Sequence, residues 1–464
     1  MLYGTLKLLF RVTLRVFFRK VHLRNMDAIP RTGPLLVCAN HPSAFMDPIV
    51  IATLMKRPVF FLAKASAFQS GFAKKIMPWL HVVPVYRKQD DPGQMHRNEE
   101  MFRKCFEHLG KGGAILIFPE GTSITERKLR EIKTGAARIA LGAEKMHGGK
   151  LGVQIVTIGL NYNDPHRFRQ EVFINVDKPI QLDAYRQQYE HDEFTAVDRL
   201  TERIRERLEK HIISVADEQT DELVKGIEKL YKHKLLREQG HDPKEKDKDF
   251  LLTRRIVETV QHFSEREPER VARMREAIAR YFTNVERAGL DDRLLDTNRP
   301  KGSRLGKNFG ELLFILLGFP LFAYGILANY LPYRTVKSLV EWKVKQREFQ
   351  GSVAMAAGML LFLSWYTAIG IVTWKIFHSW YALLFTASLL PAGVWAFYYY
   401  VSLHHIGRRW FFASLFYKRS ALVAELILQR EAIIKEFDKA AEEYAKVVAA
   451  GPGGVQERKT ASEN

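Results

Sequence analysis

A histidine and an aspartate, His41 and Asp47, stand six positions apart where the apolar run Leu35 to Ala39 gives way to Asn40-His41-Pro42-Ser43-Ala44-Phe45-Met46-Asp47-Pro48. A neutral imidazole can take a proton from a hydroxyl near neutral pH, and an adjacent carboxylate can fix its tautomer and stabilise the imidazolium that forms. That is the base and the orienter of a triad without its nucleophile. The same residues have a blander reading, because Asp47 followed by Pro48 is also the cap and first turn of a helix. A carboxylate has two oxygens, so capping a helix and orienting His41 are compatible.

Two further stretches end in polar groups. The run His81-Val82-Val83-Pro84-Val85-Tyr86 leads into Arg87 and Lys88, and an arginine so placed can grip a phosphate with a bidentate fork. Strand-end arginines are more often simply solvated, and Lys64, after Phe60-Phe61-Leu62-Ala63, carries the same ambiguity. The run Ala114 to Phe118 stops at Pro119-Glu120-Gly121-Thr122-Ser123. There the glycine lets the backbone approach a ligand closely and Glu120 can reach substrate hydroxyls, unless the stretch is only a turn with an exposed carboxylate. Glu126, Arg127, Lys128, Arg130 and Lys133 follow, a basic cluster that suits an anionic carrier or headgroup and equally a solvated helix face. No Gly-x-Ser-x-Gly elbow supplies a serine nucleophile. Cys38 reads as a buried thiol, and with Cys105 it gives neither zinc-ligand spacing nor a disulfide framework; a reducing compartment and no metal are expected.

These groups must be positioned by strands. Short apolar runs, Leu35–Ala39, Val59–Leu62, Val82–Pro84, Ala114–Phe118, Gln154–Leu160 and Val172–Val176, alternate with helical patterns, which is the α/β signal and defines a domain over 25–183. His41, Arg87 and Glu120 then lie at strand ends, where reactive groups are usually displayed. Ahead of the domain, residues 1–24 are rich in large apolar side chains, with Lys7, Arg11, Arg15 and Arg19 recurring every fourth position. That spacing gathers the charges on one helical face and interrupts any signal-peptide core, so an amphipathic helix in the headgroup layer is expected, with a helix packed on its own domain as the alternative.

Residues 184–308 form a charged helical region, with Val197, Leu200, Ile204, Leu208 and Ile212 at helical spacing and a polar linker over Gln239 to Asp249. Covering the site, building a dimer and lying on the membrane are all open roles for it. Residues 309–405 hold apolar segments at 312–331, 353–374 and 380–403, each long enough to cross a bilayer core. Arg304 and Lys307 precede the first, and Arg334, Lys337, Lys343, Lys345 and Arg347 follow it, whereas only Lys375 and His378 separate the other two. By the positive-inside tendency the second and third segments form a transmembrane hairpin, and the first, with Gly318-Phe319-Pro320 at its middle, is a broken or re-entrant element. Residues 406–450 read as an amphipathic helix with Leu422, Leu426, Ile433, Phe437 and Tyr444 at heptad-like intervals, either a coiled-coil dimer helix or one that packs back on the chain. Residues 451–464 read as a disordered tail. The net charge of +19, from 71 Lys plus Arg against 52 Asp plus Glu, calls for anionic partners. The apolar segments favour a phospholipid bilayer, and no recognisable nucleic-acid module supports a nucleic-acid partner.

Taken in order, Asn40-His41-Pro42 to Asp47-Pro48, Val83-Pro84-Val85-Tyr86-Arg87, Phe118-Pro119-Glu120-Gly121-Thr122-Ser123 and Ile155-Val156-Thr157-Ile158-Gly159-Leu160 resemble the four blocks of the glycerolipid acyltransferase family, which includes glycerol-3-phosphate and 1-acylglycerol-3-phosphate acyltransferases. The chain then reads as an α/β acyltransferase domain, a mixed sheet flanked by helices, followed by an α-helical region and a C-terminal membrane helical hairpin. The resemblance implies His41 as general base, Asp47 as its partner, Arg87 on the acceptor phosphate, and Glu120 and Gly121 in the acceptor site; Thr122 and Lys64 are further substrate-binding candidates. Five residues separate His41 from Asp47 where the family usually has four, a variant that resembles the fungal-type glycerol-3-phosphate acyltransferases. Thr157 stands where the fourth block usually has proline, so no role is carried over to it.

The expected reaction moves a long-chain acyl group from acyl-CoA or acyl carrier protein to glycerol 3-phosphate, an early step of phospholipid biosynthesis. The alternatives are 1-acylglycerol 3-phosphate as acceptor, or a non-catalytic lipid-binding membrane scaffold. A thioester carbonyl is already activated, so base catalysis and positioning can suffice, with no cofactor beyond the thioester co-substrate. Backbone N–H groups near the Pro42 loop or the Gly121 turn are the expected oxyanion donors. The protein is expected at the membrane, its acyltransferase domain and both termini on the cytoplasmic side, with a homodimer as one arrangement.

Overall fold

The computed structural model describes residues 2–68, 77–87, 92–238, 246–296, 304–377, 380–418 and 420–450. The expected tail over 451–464, residues 239–245 of the polar linker, Lys88 and His378 lie outside them. The chain divides into two compact units, Met1–Ser214 with Arg334–Leu363, and Val215–Tyr333 with Ser364–Asn464.

The first unit is built on a seven-stranded mixed sheet of order β1-β7-β6-β2-β5-β3-β4. Its strands are β1 (Lys20–Arg24), β2 (Leu35–Ala39), β3 (Phe60–Lys64), β4 (Val82–Val85), β5 (Ala114–Ile117), β6 (Gln154–Tyr162) and β7 (Glu171–Val176). β6, β2, β5, β3 and β4 are mutually parallel, and β7 runs antiparallel to β6. A parallel strand covered on both faces is apolar throughout, and its period of two sends alternate side chains to opposite layers. In β2, Leu36 and Cys38 join a core with the helices Asn98–Gly110, Gly135–Met146 and Glu193–His211, while Leu35, Val37 and Ala39 join another with Leu14, Phe17, Met46, Val50 and Ile51. Both cysteines are buried, and burial pushes the Cys105 thiol up to about 12 and raises that of Cys38.

Three expectations change here. The helix expected over 1–24 ends early: α1 is Leu2–Phe17, and residues 20–24 are β1, paired in parallel with β7. Its basic residues also point inward in part, since Lys7 Nζ donates to the Met55 carbonyl and Arg11 Nη2 to that of Thr53 at 2.9 Å. These carbonyls close the helix α2 (Met46–Leu54), whose last turn has no donors of its own and carries the negative end of the dipole. Leu14, Phe17 and Phe18 are buried, and Leu8 and Val12 stay exposed. The sheet's unit also extends past 183: in Glu193–His211 the stripe Val197, Leu200, Ile204 and Leu208 is core.

In the second unit the helices Glu218–Glu238, Lys246–Arg266 and Pro268–Arg287 pack with Ser420–Ala450. The heptad-like stripe of that last helix faces its own chain, with Phe437 5.6 Å from the Tyr231 ring and Tyr444 5.2 Å from that of His262, and Arg270 pairs with Glu436 and Glu443. Among the described residues three helices are long and apolar enough to cross a membrane: Phe309–Lys343, Arg347–Phe377 and Trp380–Arg408. The first was expected to break at Gly318-Phe319-Pro320, yet the helix runs from Arg304 to Lys343 through both Pro320 and Pro332. Proline costs a helix the donor to the carbonyl four residues back, and apolar helices tolerate it when a neighbour restores that bond. Trp365 Nε1 donates to the Ala328 carbonyl, the one Pro332 leaves open, at 2.9 Å. Asn329 Nδ2 reaches the carbonyls of Gly325 and Leu389, and its oxygen accepts the Tyr366 hydroxyl at 2.5 Å.

Candidate active site

Because five strands run in parallel, their C-terminal ends share one edge, where ligands of open α/β sheets usually bind. His41 follows β2, Phe118 to Ser123 follow β5, Lys64 ends β3, Arg87 follows β4 and Tyr162 ends β6.

Three contacts hold His41. Its Nδ1 lies 2.8 Å from Asp47 Oδ2, its backbone N–H donates to Glu120 Oε1 at 2.8 Å, and its ring stacks on Phe118 at 4.0 Å between centroids and 13° between planes. An ionised carboxylate only accepts, so the proton belongs on Nδ1 and Nε2 keeps its lone pair, an assignment drawn from the hydrogen-bond network. The His41 side chain is 18% exposed and that of Asp47 is fully buried. Asp47 Oδ2 also accepts the Ser43 N–H at 2.8 Å; the helix starts at Met46, with Phe45 at its cap and no side-chain cap hydrogen bond, so this carboxylate holds the ring and its loop and, contrary to expectation, does not cap the helix. Its Oδ1 accepts the Tyr162 hydroxyl at 2.8 Å.

The loop carrying this pair is fastened from its neighbours. Ala44, at φ 36°, donates its N–H to Ser123 Oγ at 2.7 Å, and Thr125 Oγ1 donates to the Pro42 carbonyl. The Asn40 amide exchanges two hydrogen bonds with the Leu160 backbone, at 3.0 and 2.7 Å.

Glu120 faces inward, 7% exposed, with Oε1 on the His41 N–H and Oε2 on that of Arg130 at 3.1 Å. It therefore clamps two loops, a task its sequence context did not suggest. Burial raises its carboxyl above the ordinary carboxylate value, opposed by those two backbone donors. Gly121 has φ +70° and Lys133 Nζ 3.2 Å from where a Cβ would stand, so a side chain there would be both strained and crowded. Its carbonyl accepts Arg87 Nη1 at 2.6 Å. Arg87, Glu120 and Gly121 are thus brought to the His41 loop. Thr122 follows partly exposed, while Lys64 is exposed at the end of β3 and does not join the hydrogen bonds just described.

The N–H groups around the Pro42 loop and the Gly121 turn are already used: His41 gives its own to Glu120, Ser43 to Asp47, Ala44 to Ser123 and Gly121 to the Phe118 carbonyl. The oxyanion donors expected near the Pro42 loop or the Gly121 turn are therefore not these four. Sequence reasoning also passed over Phe118, Ser123 and Tyr162 as site residues. The first two lay inside a quoted motif, whereas Tyr162 lies beyond Leu160, where β6 was expected to end.

An acyltransferase family model matches residues 20–161. The chain is 22% identical over 475 residues to an uncharacterized acyltransferase of Schizosaccharomyces pombe, covering 82% of this chain and 68% of that protein. It is 25% identical over 293 residues to glycerol-3-phosphate O-acyltransferase 1 of Saccharomyces cerevisiae, covering 62% of this chain and 37% of the relative. It is also similar to a chloroplastic 1-acyl-sn-glycerol-3-phosphate acyltransferase of Arabidopsis thaliana, 28% identical over 144 residues, 31% of this chain and 36% of that one. The chain thus spans well under half the length of the last two.

Proposed function

Residues 20–161 are an acyltransferase domain of the glycerolipid acyltransferase family, and from that premise we propose that the chain is a membrane-bound O-acyltransferase acting on glycerol 3-phosphate. The observation that carries this reading is the His41–Asp47 pair, with Nε2 left as a base, on a loop clamped by Glu120 beside the Arg87-bound Gly121 turn. In the proposed reaction Arg87 holds the acceptor phosphate and His41 Nε2 takes the proton of an acceptor hydroxyl. The oxygen attacks the thioester carbonyl of acyl-CoA or acyl carrier protein, the C–S bond breaks, and the departing thiolate recovers the proton from the imidazolium. Glu120 serves as the positioning residue that sets the His41 backbone.

Glycerol 3-phosphate is favoured as acceptor because the similarity to the yeast glycerol-3-phosphate O-acyltransferase extends over 62% of this chain, well past the family domain. The second reading, 1-acylglycerol 3-phosphate, has the support of several relatives so named, each over a shorter stretch. The basic residues Arg304 and Lys307 ahead of the 309–343 helix support a cytoplasmic acyltransferase domain.

The test uses the purified full chain in detergent with labelled glycerol 3-phosphate or its 1-acyl derivative, against both donors. Acylated product from glycerol 3-phosphate, reduced about 100-fold or more by His41→Ala with an unchanged melting temperature, is expected. Product from the 1-acyl derivative alone selects the second reading. Lipid binding without transfer from either donor makes the chain a scaffold.

A further inference from the structure

We propose that Tyr162 is a positioning residue of this reaction, the donor that holds the free oxygen of Asp47 and moderates the charge Asp47 presents to His41. The inference rests on the acyl-transfer reading for its consequence, and on the site's geometry alone for its cause.

Tyr162 comes from the far side of the pair. It ends β6, which is registered to the His41 loop by the two hydrogen bonds between the Asn40 amide and the Leu160 backbone. Its backbone pairs with Val172 of β7, and its ring packs against Phe18 at 5.9 Å between centroids. Strand and ring are therefore both fixed, and the hydroxyl meets Asp47 Oδ1 at 2.8 Å. On the other oxygen Asp47 already carries the His41 ring and the Ser43 N–H. A fully buried carboxylate needs such donors, and each one that it accepts withdraws charge from the bond it makes to the next. The phenol is held far on its protonated side, by burial first and by the Asp47 charge second, so it stays a donor.

Among the described residues Glu120 also faces the pair, on the His41 backbone from the loop after β5. No arginine or lysine hydrogen-bonds Asp47 in the described contacts. Among the described contacts of Asp47, the phenol is the side chain besides His41 itself that limits its pull on the imidazole Nδ1–H. Removing the hydroxyl leaves Asp47 more basic and the imidazolium better stabilised. His41 then holds its proton to higher pH, and the fraction present as free base at neutral pH falls.

The experiment compares Tyr162→Phe with the unaltered full chain in two ways. The pH dependence of kcat/KM is expected to move its acid limb upward by about one pH unit, as a hydrogen bond to a charged group is worth on that scale, with KM for the acceptor within about twofold. The His41 imidazole titration, followed by histidine NMR with His41→Gln to assign the signal, is expected to move the same way. An unmoved titration overturns the inference, even if turnover falls, because lost packing alone lowers amplitude without moving a titration. A moved titration in a protein that transfers no acyl group keeps the inference and removes the acyl-transfer reading. If Tyr162→Phe does not fold, 3-fluorotyrosine at 162 keeps the shape and strengthens the donor; both readouts then move to lower pH, and no movement overturns the inference.

Discussion

Buried polar groups serve opposite purposes in the two units. In the α/β unit, side-chain carboxylates collect backbone donors from loops: Asp47 takes the Ser43 N–H, Glu120 those of His41 and Arg130, and Glu144 those of Leu151 and Val153. Among the apolar helices of the other unit, neutral side-chain donors go to backbone carbonyls, as Trp365 does to Ala328, Asn329 to Leu389 and Tyr399 to Ile315. The chemistry of each backbone explains the difference. Loops at strand ends leave N–H groups without ladder partners, whereas a helix spends its N–H groups internally and a proline releases a carbonyl. A carboxylate would be costly among apolar helices, and an indole or amide is not. The first arrangement positions the loops that carry His41 and Glu120; the second holds helices together.

Substitutions in the two regions should therefore separate function from stability. After His41→Ala, the largest effect is expected for Arg87→Ala: loss of a charged contact of about 1.5–3 kcal/mol raises KM for the phosphate-bearing acceptor about 10- to 100-fold. Steady-state kinetics and a melting curve check it, and a fall in kcat at constant KM would separate Arg87 from the acceptor phosphate. Trp365→Phe should do the reverse, lowering stability by about 1 kcal/mol through the Ala328 carbonyl with KM unchanged. An unaltered melting temperature in detergent would show that the proline's open carbonyl needs no partner.

The smallest effect joins the two regimes. Because the folded-state carboxyl of Glu120 is raised, its contribution to stability is fully present below the ordinary carboxylate value and is lost as pH rises through the folded value. The melting temperature of the unaltered protein minus that of Glu120→Gln should accordingly decline with rising pH across that window. A difference that grows with pH would mean that the backbone donors outweigh burial.

The strands β2 to β7, the placing of His41, Arg87 and Glu120 at strand ends, the burial of Cys38 and three apolar segments long enough to cross a bilayer were legible in the sequence, because each is written in local periodicity or in a contiguous motif; β1 was not. Partnership across the chain was not. Tyr162 lies 115 positions from Asp47 and Glu120 lies 79 from His41, and an apolar or polar pattern reports that a side chain is covered without saying by what. For the same reason the basic stripe of α1 read as a membrane face, although Lys7 and Arg11 close the end of α2, and the 420–450 stripe read equally as a dimer seam. Pro320 read as a break because sequence shows the lost donor, yet the helix continues through it and Pro332, where the packed helices supply Trp365 to the open carbonyl. Residue types determined which chemistry was available here; tertiary structure decided which groups meet, since hydrogen bonds act over about 3 Å whatever the separation along the chain.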